Sequence, residues 1–227
     1  MSGELDLSAY ENDVIEHVLM GRARARMLED LRDEKPWNVD LALGQLVLGE
    51  DTFSAQILGT FSNSSRTFLW AWANSGNADW AASLGIANSL RQRGERPGNA
   101  VFQEPTIAAA WVNPSELAYV SGELAGGHPV FVGGYDGGAA LLLLTSARLD
   151  VADMPITHLP GILGGFGSFA NADPRPCVRR FVERLGFSVD AGDRSLTATR
   201  RGDVVVVRYD SEGRIAKVSL QAQGHAP

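Results

Sequence analysis

The chain has 227 residues, 44 % of them hydrophobic and 21 % charged, a composition that excludes intrinsic disorder and collagen-like architecture and allows a sizeable core. Twenty Lys and Arg against 27 Asp and Glu give a formal net charge of −7, which removes the general attraction to polyanions and argues against a nucleic-acid partner. The single cysteine, Cys177, excludes an internal disulfide and a multi-cysteine metal site and suits a reducing compartment.

Met1 to Asp6 is acidic and polar, without the cationic start and apolar stretch of a secretory signal. The longest apolar run, Ala139 to Leu144, is far shorter than the ~20 residues of a bilayer-spanning helix. A cytoplasmic protein with no membrane partner is expected. Ser8 and Glu11 read as a capping box, and Leu7, Val14, Ile15, Val18, Leu19, Met27, Leu28 and Leu31 recur at helical spacing, predicting a long amphipathic helix from Ser8 to Asp33. Its other face carries Arg22, Arg24 and Arg26 among Glu16, Glu29 and Asp30, the composition of a solvated surface.

Three strand-like segments follow, Val39 to Leu48, Phe53 to Phe61 and Thr67 to Asn74, separated by Gly49-Glu50-Asp51 and Ser62-Asn63-Ser64-Ser65. The first changes parity midway, which places a bulge at Gly44. In the third, alternation puts Phe68, Trp70 and Trp72 on one side. After Asn77 and Asp79, a stripe of Trp80, Leu84, Ala87 and Leu90 predicts a helix ending near Arg93-Gly94 and Pro97-Gly98. Asn113-Pro114-Ser115-Glu116 is a stronger helix start, and this helix runs to Gly126-Gly127. Pro129 to Gly134 and Ala139 to Thr145, around Tyr135-Asp136-Gly137-Gly138, form a hairpin.

Ser146 to Asn171 is rich in Gly and Pro without a steady period and is read as the boundary between two units, 1–150 and 151–227. Asp173-Pro174 opens a short helix, and four short strands complete a small αββββ unit. The expected fold class is α+β, an antiparallel sheet packed with helices in the order α-βββ-α-α-ββ, followed by that unit.

Recognisable catalytic patterns are missing: there is no Gly-x-Ser-x-Gly elbow, His-Glu-x-x-His helix or Walker Gly-Lys-Ser/Thr. Gly161 to Gly167 resembles a phosphate loop only in its glycine content. His17, His128, His158 and His225 are scattered, and no metal or other cofactor is expected. The hairpin keeps His128 about 20 Å from Asp136, at ~3.3 Å per strand residue, too far for a direct dyad. Glu116 and Glu123 share a helix face, where paired carboxylates can hold a cation or move protons, although Glu116 also suits a capping role and Glu123 a solvated one. Cys177 sits beside Arg175 and Arg179, cations that lower a thiol pKa, but its ordinary role is a half-buried helix residue. Arg201-Gly202-Asp203 is read as a plain turn.

Ile57-Leu58-Gly59-Thr60-Phe61-Ser62 followed by Thr67-Phe68-Leu69-Trp70-Ala71-Trp72-Ala73-Asn74 resembles an uncharacterised bacterial family known only as a domain of unknown function, with a Leu-Gly-Thr/Ser-x-Ser turn and a Trp-x-Trp-Ala-Asn strand. The likeness covers about Ser8 to Thr145, with Phe68 standing at the family's first tryptophan. It implies a fold and no established activity. The element order is also similar to that of secretion-chaperone-like folds, which bind extended segments, and fold alone does not fix function.

Phe68, Trp70 and Trp72, with Asn74 and Trp80 supplying hydrogen-bonding groups, suit either a core or the floor of a binding groove. The expected function is a non-catalytic binding or protein-interaction module, chaperone-like in one form, that receives a protein or peptide at an edge of the aromatic sheet or of the Pro129 to Thr145 hairpin. The alternative is a small-molecule enzyme with Glu116, Glu123, His128 or His158 in an interdomain cleft.

Overall fold

A computed structural model describes residues 5–32, 34–95 and 98–222. Met1 to Glu4, Asp33, Pro97 and His225, which the sequence reading used, lie outside the described residues. The fold is α+β: an antiparallel sheet packed with helices and a second, four-stranded antiparallel sheet.

Helix α1 (Ser8–Arg32) runs through the middle of the molecule. The expected capping box does not form; the Asp6 carboxylate instead accepts from the Ser8 amide at 3.0 Å and the Ser8 hydroxyl at 2.7 Å, satisfying a first-turn donor from outside the helix. Tyr10, Val14, Val18, Leu19 and Leu28 are buried as the periodicity requires, while Leu31, in the last turn, is exposed. The face read as solvated is half-buried in part: Arg22 lies over the rings of Tyr119 and Phe169, and Arg24 is inserted between elements.

The segment expected as one strand with a bulge is a hairpin, β1 (Trp37–Asp40) and β2 (Gln45–Leu48), with Trp37 opposite Leu48 and Asp40 opposite Gln45. The parity change is a turn: Asp40 Oδ1 accepts the Leu43 amide at 2.9 Å, and Gly44 takes φ +65° to re-enter the sheet. Strand β3 (Asp51–Ser62) pairs β2 through its first half and β4 (Thr67–Trp70) through its second. Strand β4 ends at Trp70, and Trp72 lies in a following 3₁₀ turn, so the expected alternation stops one residue pair early. The short α2 (Gly85–Glu95) and α3 (Ala100–Gln103) lead to β5 (Thr106–Ala108), a three-residue strand on β4 with no strong period of its own.

Helix α4 (Pro114–Leu124) starts as expected, with Asn113 Oδ1 accepting the Ser115 amide at 2.9 Å and Pro114 in the first turn. The hairpin of β6 (Val130–Tyr135) and β7 (Gly138–Leu144) follows, and β7 lies along β3 on the edge opposite β4. Leu58 has no partner in the β3–β7 register, a bulge that lets neighbouring residues of β3 enter different cores. Ile57, Leu142 and Leu144 face a core shared with Leu46, Leu48 and Phe131, whereas Leu58, Leu141 and Leu143 face the helices. Covering both faces of β7 explains its uninterrupted apolar run.

Residues expected to be irregular instead carry helix α5 (Leu159–Gly164) and flanking 3₁₀ turns. Their Leu159, Ile162, Leu163, Phe166 and Phe169 are buried, in the same apolar interior as α1 and α4. The αββββ unit is present as α6 (Pro174–Arg184), β8 (Ser188–Gly192), β9 (Ser195–Arg200), β10 (Asp203–Tyr209) and β11 (Ile215–Gln221), in sheet order β11-β10-β9-β8. Helix α6 packs on α1, where Arg180 pairs with Glu16 at 2.7 Å and Arg184 donates to the Glu16 carbonyl at 2.8 Å.

Candidate functional site

The aromatic residues singled out in the sequence are divided by the fold. Phe68 and Trp70 are fully buried, stacked edge to face at 5.1 Å, and the Trp70 indole donates to the Val101 carbonyl at 3.1 Å. Of the two readings open for them, they take the core. Gly59 serves that packing, since a Cβ there would lie 2.4 Å from the Phe68 ring and 2.2 Å from the Leu69 carbonyl oxygen. Trp72 is half-buried under the guanidinium of Arg91, 4.4 Å from the ring centroid, and its indole nitrogen is buried without a partner among the described residues. Asn74 accepts the Gly76 amide at 2.9 Å, closing a turn, and Trp80 packs at the margin of the second core. The Leu-Gly-Thr and Trp-x-Trp-Ala-Asn stretches therefore have structural work to do: a bulge, a close strand approach, a core indole and a turn.

The polar residues considered for chemistry do not gather into one cluster. Glu116 is buried, accepts the Asn171 amide at 3.1 Å, and has its carboxyl pushed up to about 7 by loss of water, against the Asn171 amide and the nearby Tyr10 hydroxyl. Glu123, expected in solvent, has a side chain only 3 % exposed, which pairs with Arg24 at 2.6 Å and faces Arg184 at 3.6 Å. His128 lies near Glu123, while His158 faces Asp30 Oδ2 at 3.6 Å, the other oxygen of that carboxylate pairing with Arg26. Cys177 is buried with its thiol pushed up to about 12, because burial and the Asp173 and Glu116 charges disfavour the thiolate. The arginines expected to lower it are engaged elsewhere, Arg175 by Asp173 at 2.6 Å and Arg179 by Glu183 at 3.0 Å. Among the described residues no group of three or more His, Cys, Asp or Glu is placed to hold a metal ion.

The surface best arranged for recognition is the outer edge of β6. Pro129 accepts the Leu144 amide at 3.1 Å, and antiparallel alternation then turns the backbone groups of Val130, Val132 and Gly134 away from β7. Among the described residues no strand pairs that edge; the Val132 carbonyl accepts Arg32 Nη1 at 3.4 Å, and Arg32 lies over the Phe131 ring at 5.0 Å. Val132 and Tyr135 are 41 % and 49 % exposed. Beside Val132 is a hollow of about 330 Å³ floored by Phe61, Ala139 and Leu141, with Arg66 and the start of α4 on its rim.

Exposed edges are normally blunted by charge, proline or brevity. The other edges follow that rule: β5 has three residues, β1 carries Asp40, β8 carries Asp190 and β11 carries Lys217. Strand β6, Val-Phe-Val-Gly-Gly-Tyr, carries no charge or proline of its own, and among the described residues only Arg32, from the end of α1, is seen to bond its edge, at the Val132 carbonyl. Its pattern was legible, but that its outer edge stays unpaired followed only from where α1, β1 and β5 came to rest.

No described helix is long and apolar enough to cross a membrane. No curated protein and no solved structure gives a match to the chain. A model of the family of unknown function DUF6882 matches residues 12–147, from the first turns of α1 through the β6–β7 hairpin, and thus spans the bulge of β3, the buried indole of β4 and the whole uncharged edge. The chain belongs to that family.

Proposed function

We propose that the protein is a non-catalytic interaction module that receives an extended polypeptide segment by strand addition to β6. The observation that carries this reading is the uncharged outer edge of β6, flanked by exposed Val132 and Tyr135 and by an apolar hollow. Main-chain hydrogen bonds from the Val132 amide and from Gly134 would supply affinity, and the hollow would select an apolar side chain at alternate positions of the segment. Capture of unfolded or exported segments, a chaperone-like role, is one form of the same reading. The lone buried cysteine supports placing it in a reducing compartment such as the cytoplasm.

The test is selection of random heptapeptides on the immobilised protein, followed by hydrogen exchange. Selected peptides are expected to protect the Val132 and Gly134 amides and to lose about tenfold or more in affinity for Gly134→Pro, which removes an outward N–H and leaves the β7 ladder intact. Equal binding to Gly134→Pro, or protection confined to another strand, overturns the reading.

A further inference from the structure

A different concavity, of about 390 Å³, opens where α1, the end of α4 and the segment after β7 meet. Arg24, His128 and Arg148 line it, in a chain whose net charge is −7. Arg24 is held in place: Nε donates to Glu123 at 2.6 Å and Nη1 to the Leu149 carbonyl. Its remaining Nη2 lies against Gly127, where an added Cβ would stand 3.0 Å away and where φ is +79°, so this turn leaves room for the guanidinium. Arg148 is exposed and has no hydrogen bond or ion pair among the described residues. Burial and then the Arg24 and Arg148 guanidinium groups hold the His128 pKa below the usual imidazole value, only partly opposed by Glu123.

Two carboxylates lie nearby, and Asp150 lines the opening together with Arg24, His128 and Arg148. The Glu123 side chain is buried beneath Arg24 and is shared with Arg184. Asp150 Oδ1 accepts the Ala152 amide at 2.9 Å, capping the next turn. Beside the exposed Asp150 the opening presents a guanidinium unpartnered among the described residues, one free edge of a second and an imidazole with a donor to offer.

We propose that this cleft binds a small organic oxyanion, a carboxylate or a phosphate ester, through Arg148, the free edge of Arg24 and His128. Planar guanidinium groups meet such oxygens with paired, charge-assisted hydrogen bonds, and the volume is that of a small-molecule site. The site is independent of the β6 edge and stands or falls separately from it.

The experiment is a titration of the full chain followed by ¹H–¹⁵N NMR, with inorganic phosphate in one arm, succinate in the second and chloride at matched ionic strength as control. Saturable shifts at Gly127, His128 and Arg148 in either oxyanion arm are expected, and the tighter arm names the group. Arg148→Gln, at an exposed position, is expected to weaken binding about tenfold. His128→Asn, measured alongside, is expected to weaken it less and to leave the fold unchanged. Shifts no larger than those with chloride, or oxyanion binding unchanged in both variants, overturn the proposal.

Discussion

Arg24 Nε donates to Glu123 Oε1 at 2.6 Å across the α1–α4 interface, with side-chain exposures of 16 % and 3 %. A pair so far from water gains little over an apolar pair of similar size but is costly to break on one side. Glu123→Ala is therefore expected to destabilise the protein by about 3 to 5 kcal/mol, because it removes the carboxylate that pairs with the part-buried Arg24 and faces Arg184. Arg24→Met combined with Glu123→Leu is expected to recover most of that loss. Urea denaturation of the single and double variants measures both, and an additive double variant would contradict the coupling.

Glu116 makes stability depend on pH. Its folded-state value of about 7 lies above the ordinary 4.5, so the folded protein keeps a proton that the unfolded chain releases. Stability from this group is present below about 4.5 and is lost as pH rises to 7, by about 3 kcal/mol in all. Glu116→Gln is expected to remove that fall, matching the wild type near pH 4 and exceeding it near pH 8. Parallel denaturation profiles for the two proteins between those limits would show that the carboxyl titrates normally.

Cys177 is expected to be inert in the native protein. Its sulfur is buried, donates to the Asp173 carbonyl at 3.3 Å and holds its proton up to about 12. An aromatic disulfide reagent at pH 8 should label it only as fast as the protein opens, and completely in denaturant. Rapid stoichiometric labelling under native conditions would contradict the packing of α6.

The α1–α4 crossing has no room for a side chain at Gly21, where a Cβ would lie 2.3 Å from the Tyr119 carbonyl oxygen. Gly21→Ala is expected to cost about 2 kcal/mol or more, since one helix must move. Gly161→Ala, in α5 with nothing within 4 Å of the added carbon, is expected to be neutral or mildly stabilising. Thermal unfolding of the two variants distinguishes a required close approach from a replaceable glycine.

Several elements were legible because their signals are local. Asn113-Pro114 starts α4 where a capping side chain and a prolyl ring both favour a first turn, and Asp136-Gly137 turns the β6–β7 hairpin. The β1–β2 turn was also written locally, in Asp40 and Gly44, but the apolar residues on either side disguised it as one strand. Helix α5 was missed because glycines dominate its surface, while Leu159, Ile162 and Leu163 are held by the core around them. Strand β5 has too few residues to show a period and exists because β4 offers an edge.

The sequence by itself determined the α+β class, the long first helix, the β6–β7 hairpin and the terminal αββββ unit, since these follow from periodicity, caps and turn residues within a few positions of each other. Only the tertiary structure decided that Trp70 fills the core, that the Glu123 side chain is buried against Arg24, that Arg148 and His128 share a cleft, and that no described strand pairs the outer edge of β6. Burial and charge pairing are made between residues distant along the chain, so the same side chain reads alike in sequence whether water or a guanidinium surrounds it.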